Sequence, residues 1–213
     1  MKRKKHSLTL VAVILIASAL LSGCQTGSSP GNQKNTYTYK VIDGCELRAE
    51  GLALFKIDPK RIALVGHSAG GYLTLLAGTR LRPPPEGLVS FYGYGDLTGA
   101  WLTHPDPFYN QREAVTDQRA LEAIGDPAAA CDPSAPALDK RFQYYVFSRQ
   151  QGIWPEVVTD HNPKAEDQWF ADYEPIGLVT PAYPPTMLLH GQTDKDVPFE
   201  QAVRMAEAII SRR

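Results

Sequence analysis

The chain has 213 residues, 43% of them apolar and 21% charged, which is the composition of an ordinary globular domain and not of a disordered or fibrous chain. Its formal charge is -1, yet Lys2, Arg3, Lys4 and Lys5 supply four of the 22 basic residues and no acid precedes Asp43, so the remainder is mildly acidic. With no Lys/Arg cluster outside that leader, the electrostatic footprint of nucleic-acid binding is missing, and nucleic acid is excluded as a partner.

Residues 2–6 (KRKKH) are basic, Leu8 to Leu21 is mostly apolar, and Leu21-Ser22-Gly23-Cys24 closes the segment. These are the three regions of a secretory signal in order, and the apolar run is short for a membrane span. Leu-Ser-Gly-Cys also resembles the lipobox of bacterial lipoproteins. That resemblance implies a signal peptide over 1–23, lipidation of Cys24 and a cell-envelope location, membrane-bound through the lipid. Residues 24–36, rich in Gly, Ser and Asn, read as a flexible tether. Cys45 and Cys131 remain in a compartment that permits disulfides, and the sequence does not pair them.

The folded part is expected over 37–213. Tyr37 to Ile42, Asp43-Gly44, and Cys45 to Glu50 read as a β-hairpin, because Cys45, Leu47 and Ala49 alternate with charged residues and Asp-Gly accepts positive φ at both turn centres. Arg61 to Val65 is a short apolar run bounded by Asp58-Pro59 and Gly66, as in a buried parallel strand. Tyr72 to Arg80 carries helical spacing, and Pro83-Pro84-Pro85 ends it. Leu88 to Tyr92 and Thr186 to His190 are two further strands. Phe199 to Ile210 is a helix whose apolar face would hold Phe199, Ala202, Val203, Ala206, Ile209 and Ile210. Strands alternating with helices predict an α/β parallel sheet. Between the second and third of these strands, 93–185 is a long insertion that holds 13 of the 20 aromatic residues, with helices expected near Asp117 to Ile124 and Leu138 to Gln150. It reads either as a cap over a site or as a body with an aromatic core of its own.

Gly66-His67-Ser68-Ala69-Gly70 is a G-x-S-x-G pattern with an apolar strand before it and a helix after it. In that context Ser68 sits on a strained strand-to-helix turn that exposes its hydroxyl as a nucleophile. Gly66 and Gly70 are expected to be needed because side chains there would collide with strand and helix. The Ala69 amide points to where an oxyanion would develop. No H-E-x-x-H or similarly spaced ligand set occurs, so neither a metal nor another cofactor is expected.

Ile57-Asp58-Pro59-Lys60-Arg61-Ile62 leading into Gly-His-Ser-Ala-Gly-Gly-Tyr resembles the α/β-hydrolase superfamily, in particular its serine esterases and prolyl-oligopeptidase-like peptidases. His190-Gly191-Gln192-Thr193-Asp194-Lys195-Asp196-Val197-Pro198 is similar to the acid loop of that group, and the match implies that Asp194 is the triad acid. The implied substrate is a small-molecule ester or a peptide. The chain departs from the pattern in two places. None of the 19 residues after Asp194 is His, where the superfamily order puts the base, and the seven residues between Glu50 and Asp58 do not hold the upstream oxyanion loop. His67, His190, His104 and His161 read as structural or solvated histidines. The expectation is therefore a partial α/β-hydrolase sheet with an inserted helical cap. Its hydrolysis would be crippled, or the scaffold would be kept for binding in an envelope lipoprotein.

Overall fold

The structure is a computed structural model, and it describes residues 34–42, 45–52, 58, 61–124 and 137–212. The signal segment, Cys24, the Asp43-Gly44 turn, Cys131 and the side chain of Cys45 lie outside the described residues. The first strand, β1 (Lys34–Ile42), begins three residues inside the expected tether. It pairs antiparallel with β2 (Cys45–Leu52), with Ile42 opposite Cys45. The register shifts by one residue between Thr38 and Lys40, a β-bulge.

Contacts divide the chain into two compact units. The first, residues 58–97 and 171–213, contains a parallel sheet in the order β3 (Ala63–His67), β4 (Gly87–Phe91), β5 (Thr186–Leu189), with His67 level with Phe91 and Phe91 level with Leu189. β3 and β4 start and stop one to two residues away from the expected runs because the ladder, not the apolar run, sets the ends of a strand. Its rungs run from Ala63 opposite Gly87 to His67 opposite Phe91. Helix α1 (Ala69–Arg80) starts three residues earlier than its apolar spacing predicts, since Ala69-Gly70-Gly71 carries no periodic signal while the Tyr72 amide already donates to the Ser68 carbonyl at 3.0 Å.

Leu75 from α1 and Leu88 from β4 meet Val179, Tyr183, Met205 and Ile209 in the core of this unit. Burying each large side chain of this kind is worth about 1.5–3 kcal/mol. Tyr183 anchors the cluster through its hydroxyl, which donates to the Leu75 carbonyl at 2.7 Å, and burial raises its phenol pKa. Val179 and Tyr183 belong to the expected insertion, so its last residues, including α7 (Pro175–Leu178) as numbered below, are part of the sheet unit.

The C-terminal helix, α8 (Glu200–Ser211), turns a different face to the core from the predicted one. Gln201, Met205 and Ile209 are buried at four-residue spacing, whereas Val203 and Ile210 are exposed, Ile210 by 73%. Gln201 decides the rotation. Its amide nitrogen donates to Asp96 Oδ2 at 3.2 Å and its carbonyl oxygen accepts from the Gly95 amide at 3.1 Å, so a polar residue is satisfied inside.

The second unit includes 98–170 and the hairpin. Between β4 and α7 the chain forms α2 (Ala100–Thr103), a 3-10 turn at Tyr109–Gln111, α3 (Asp117–Ile124), α4 (Ala137–Gln151), α5 (Trp154–Thr159) and α6 (Asp167–Ala171). Its aromatic residues build a core of their own. Tyr109, Val115, Ala120 and Val146 are buried with Phe108, Tyr144, Tyr145 and Phe147 packed against them. Arg149, only 1% exposed, forms an ion pair with Asp106 and lies over the rings of Trp101, Tyr109 and Tyr145 at 5.1–5.8 Å. The second Asp106 oxygen accepts from the Phe108 and Tyr109 amides, so the buried carboxylate is fully used.

Candidate active site

Ser68 lies between β3 and α1 with φ 53° and ψ −125°, a left-handed backbone that a non-glycine residue adopts at a cost of about 1–3 kcal/mol. Two bonds hold it there. Its amide donates to the Phe91 carbonyl at 2.9 Å, continuing the β3–β4 ladder by one rung, and its carbonyl accepts the first helical bond of α1. The Ser68 hydroxyl makes no hydrogen bond among the described residues, and neither does the Ala69 amide, the first donor of the helix. A free hydroxyl and a free backbone amide therefore stand side by side at the turn between β3 and α1.

The glycines divide differently from the expectation. A Cβ on Gly66 would lie 2.1 Å from the Gly70 carbonyl oxygen and 2.6 Å from Thr74 Oγ1, so only glycine fits. At Gly70 a Cβ would meet nothing within 4 Å, which corrects the expected collision. The reason is the open side of β3. A groove of about 560 Å³ runs along Ile62 to Gly70, Leu73 and Thr74, where this strand has no neighbour among the described residues. Gly71 is the second required glycine, because its Cβ would stand 2.8 Å from Ser90 Oγ and 2.9 Å from the Gly93 Cα. Gly71 and Gly93 let α1 and the chain leaving β4 approach closely, which brings Phe91 within reach of Ser68.

Asp194 lies five residues past the end of β5, on the carboxyl edge of the sheet that also carries Ser68. Two strand spacings of about 4.8 Å separate their strands. One carboxylate oxygen accepts from the Asp196 and Val197 amides at 2.9 and 3.1 Å and so shapes its own loop. The other is 3.6 Å from His190 Nε2. His190 is buried and donates from Nε2 to the Val197 carbonyl at 2.8 Å. A carbonyl only accepts, so Nε2 carries the proton, and Nδ1 is left buried with no partner. The imidazole next to Asp194 thus ties its loop through the Val197 carbonyl and makes no hydrogen bond to Ser68.

The other histidines are placed as follows. The His67 ring lies 5.9 Å from that of Tyr92, which directly follows β4. His104 is exposed beside the Thr103 hydroxyl at 3.2 Å. His161 bonds through Nδ1 to Glu166 at 2.9 Å and stacks on Trp169 at 4.0 Å. No imidazole hydrogen-bonds to Ser68 among the described residues. Among them, too, no three His, Cys, Asp or Glu side chains converge as a metal site would require, and no helix is long and apolar enough to cross a membrane.

Sequence reasoning missed the supports beneath the edge. Asp96 accepts from Gln201 and Arg204, tying the segment after β4 to α8. Tyr72 of α1 stacks on Tyr94 at 5.0 Å and donates its hydroxyl to the Tyr173 carbonyl at 2.9 Å; burial, with Glu174 nearby, pushes its phenol up to about 12. An Asp five residues past the end of an apolar strand was the available signal for Asp96. Nothing local marks Tyr72, whose partners are contributed by distant segments.

A model of the BD-FAE family matches residues 49–209. The non-reducing polyketide synthase Preu3 of Preussia isomera is 24% identical over 195 residues, covering 74% of this chain and 8% of its own length. Esterase LipC of Mycobacterium tuberculosis is 26% identical over 152 residues, covering 71% of this chain and 30% of its own. Among solved structures, a protein of unknown function from Staphylococcus aureus subsp. aureus Mu50 has the same fold with a TM-score of 0.55 at 21% identity, over 69% of this chain and 50% of its own. The chain thus spans half or less of the length of each of these three proteins.

Proposed function

Since the chain belongs to the BD-FAE family and is an esterase-like α/β-hydrolase, we propose that its site is built to cleave carboxylic esters by acyl transfer to Ser68. The observation that carries this is the strained elbow itself, a free hydroxyl beside a free amide on the carboxyl edge of a parallel sheet. In that chemistry Ser68 Oγ attacks the acyl carbon and the Ala69 N–H stabilises the tetrahedral oxyanion. An imidazole takes the serine proton and returns it to the leaving alcohol, and Asp194 orients that imidazole. The substrate is a small-molecule ester. An amide would use the same elbow.

The missing participant sets the rate. Without a base on the serine, turnover falls on the order of a million-fold, and lack of a second oxyanion donor costs roughly a further hundred- to thousand-fold. The 213-residue chain therefore hydrolyses p-nitrophenyl acetate barely faster than Ser68→Ala does. Turnover in the ordinary enzymic range that vanishes in Ser68→Ala would contradict this and assign the base to one of the chain's own histidines. The unpartnered hydroxyl also favours a second reading, a scaffold that binds esters without cleaving them. Residues 21–24 support a third element, attachment to the cell envelope through lipidated Cys24. Cys24→Ala should release the protein from membranes, and unchanged fractionation with an unmodified Cys24 mass would count against the anchor.

A further inference from the structure

Three non-glycine residues among those described have positive φ, and two of them, Ser68 and Tyr92, directly follow the neighbouring strands β3 and β4. Ser68 is explained by the elbow. Tyr92, at φ 40°, is not explained by packing. The residue is 39% exposed, and its hydroxyl makes no hydrogen bond among the described residues. The backbone turn itself has a clear cause. The Tyr92 amide donates to the Leu189 carbonyl at 2.7 Å, and the next residue, Gly93, must pass so close to α1 that a Cβ on it would lie 2.6 Å from the Gly71 carbonyl carbon. A chain forced to bend there is best served by glycine, which takes positive φ without strain. A bulky aromatic residue at such a position is an outlier, and outliers of this kind gather at functional sites.

The place where the strain occurs is next to the nucleophile. Phe91, immediately before Tyr92, accepts the Ser68 amide hydrogen bond, and the Tyr92 ring leans on that of His67, immediately before Ser68, at 5.9 Å and 46°. We propose that Tyr92 is a substrate-contacting residue of the Ser68 site, its ring forming a wall against which the bound ester packs. The inference rests on the esterase reading of Ser68. It extends that reading to a residue outside the elbow and acid-loop motifs.

The experiment uses the full chain in imidazole buffer, with imidazole supplying the base, and follows acetylation of Ser68 by p-nitrophenyl acetate by mass spectrometry alongside thermal unfolding. Tyr92→Gly removes ring and strain together, Tyr92→Ala removes the ring and keeps the strain, and Tyr92→Phe keeps both. Acetylation of Ser68 should slow about tenfold in the Gly and Ala variants and stay within about twofold of the parent in Phe, the loss of a ring contact being worth about a factor of ten. The unfolding midpoint should rise in Tyr92→Gly, by about 2–4 °C, and not in Tyr92→Ala. A residue that merely supports the fold would lower the midpoint in both variants, and that result overturns the proposal. Parental acetylation rates in both, with Ser68→Ala still unreactive, overturn it while leaving the esterase reading intact. Acetylation that does not need Ser68 removes the reading and the proposal together.

Discussion

Gly66 and Gly70 flank the same serine, but space demands only the first. Gly66→Ala drives a Cβ into backbone and should cost more than about 2 kcal/mol in urea unfolding. Gly70→Ala enters open space in the first turn of α1 and should stabilise by roughly 0.5–1 kcal/mol through helix propensity. Equal losses in the two variants would contradict this account of the elbow. The motif spacing made Ser68, Ala69 and Gly66 legible, since a strand-to-helix elbow needs these residue types at these positions. Gly71 and Gly93 were not legible as a pair, because their requirement comes from a contact between segments 22 residues apart in sequence. A second residue-scale prediction concerns Glu166, whose carboxylate accepts hydrogen bonds from His161 and the Asn162 amide and is thereby held below the ordinary value of 4.5. A depressed carboxylate adds stability above its unfolded pKa and loses it as pH falls through the folded one. Carboxyl carbon NMR should show Glu166 titrating below 4.5, with His161→Ala moving it upward. A midpoint that His161→Ala leaves in place would show that the pair does not hold in solution.

At the scale of elements, apolar periodicity located every strand of the sheet and four of the helices, because each must bury a stripe against a partner. It failed where polar residues are inside. α8 packs through Gln201, Met205 and Ile209, of which only Ile209 is on the face that the apolar spacing selects. Gln201→Ala should cost about 1–3 kcal/mol by leaving the Gly95 amide and Asp96 short of partners, whereas Ile210→Ala, on a side chain 73% exposed, should stay within about 0.5 kcal/mol. Denaturant midpoints of the two variants decide the rotation of the helix, and a reversed order would restore the predicted face. The short helices α2, α5, α6 and α7, of four to six residues, escaped prediction because one turn is too short to show a period.

For the whole molecule, aromatic residues of the insertion pack among themselves. Those around Arg149 and Tyr109 serve the core of the second unit. The sheet of the first unit carries a different consequence. β3 and β5 each have β4 as their one strand neighbour among the described residues, and Leu73 of α1, which lines the groove along β3, and Met187 of β5 are each 58% exposed. Strand edges left unpaired invite pairing between molecules. The chain should therefore self-associate as its concentration rises in light-scattering chromatography. A monodisperse monomer that melts cooperatively above about 65 °C would contradict this.

The central claim is that the elbow serine accepts an acyl group and has no imidazole hydrogen-bonded to it among the described residues. It is tested most directly by incubating the chain with p-nitrophenyl acetate, with and without imidazole, and mapping the acetyl group by peptide mass spectrometry. The account predicts one acetyl group on Ser68, formed far faster with imidazole than without and absent from Ser68→Ala. Acetyl groups spread over lysines with Ser68 unmodified, or full-speed acetylation that imidazole does not change, would contradict it.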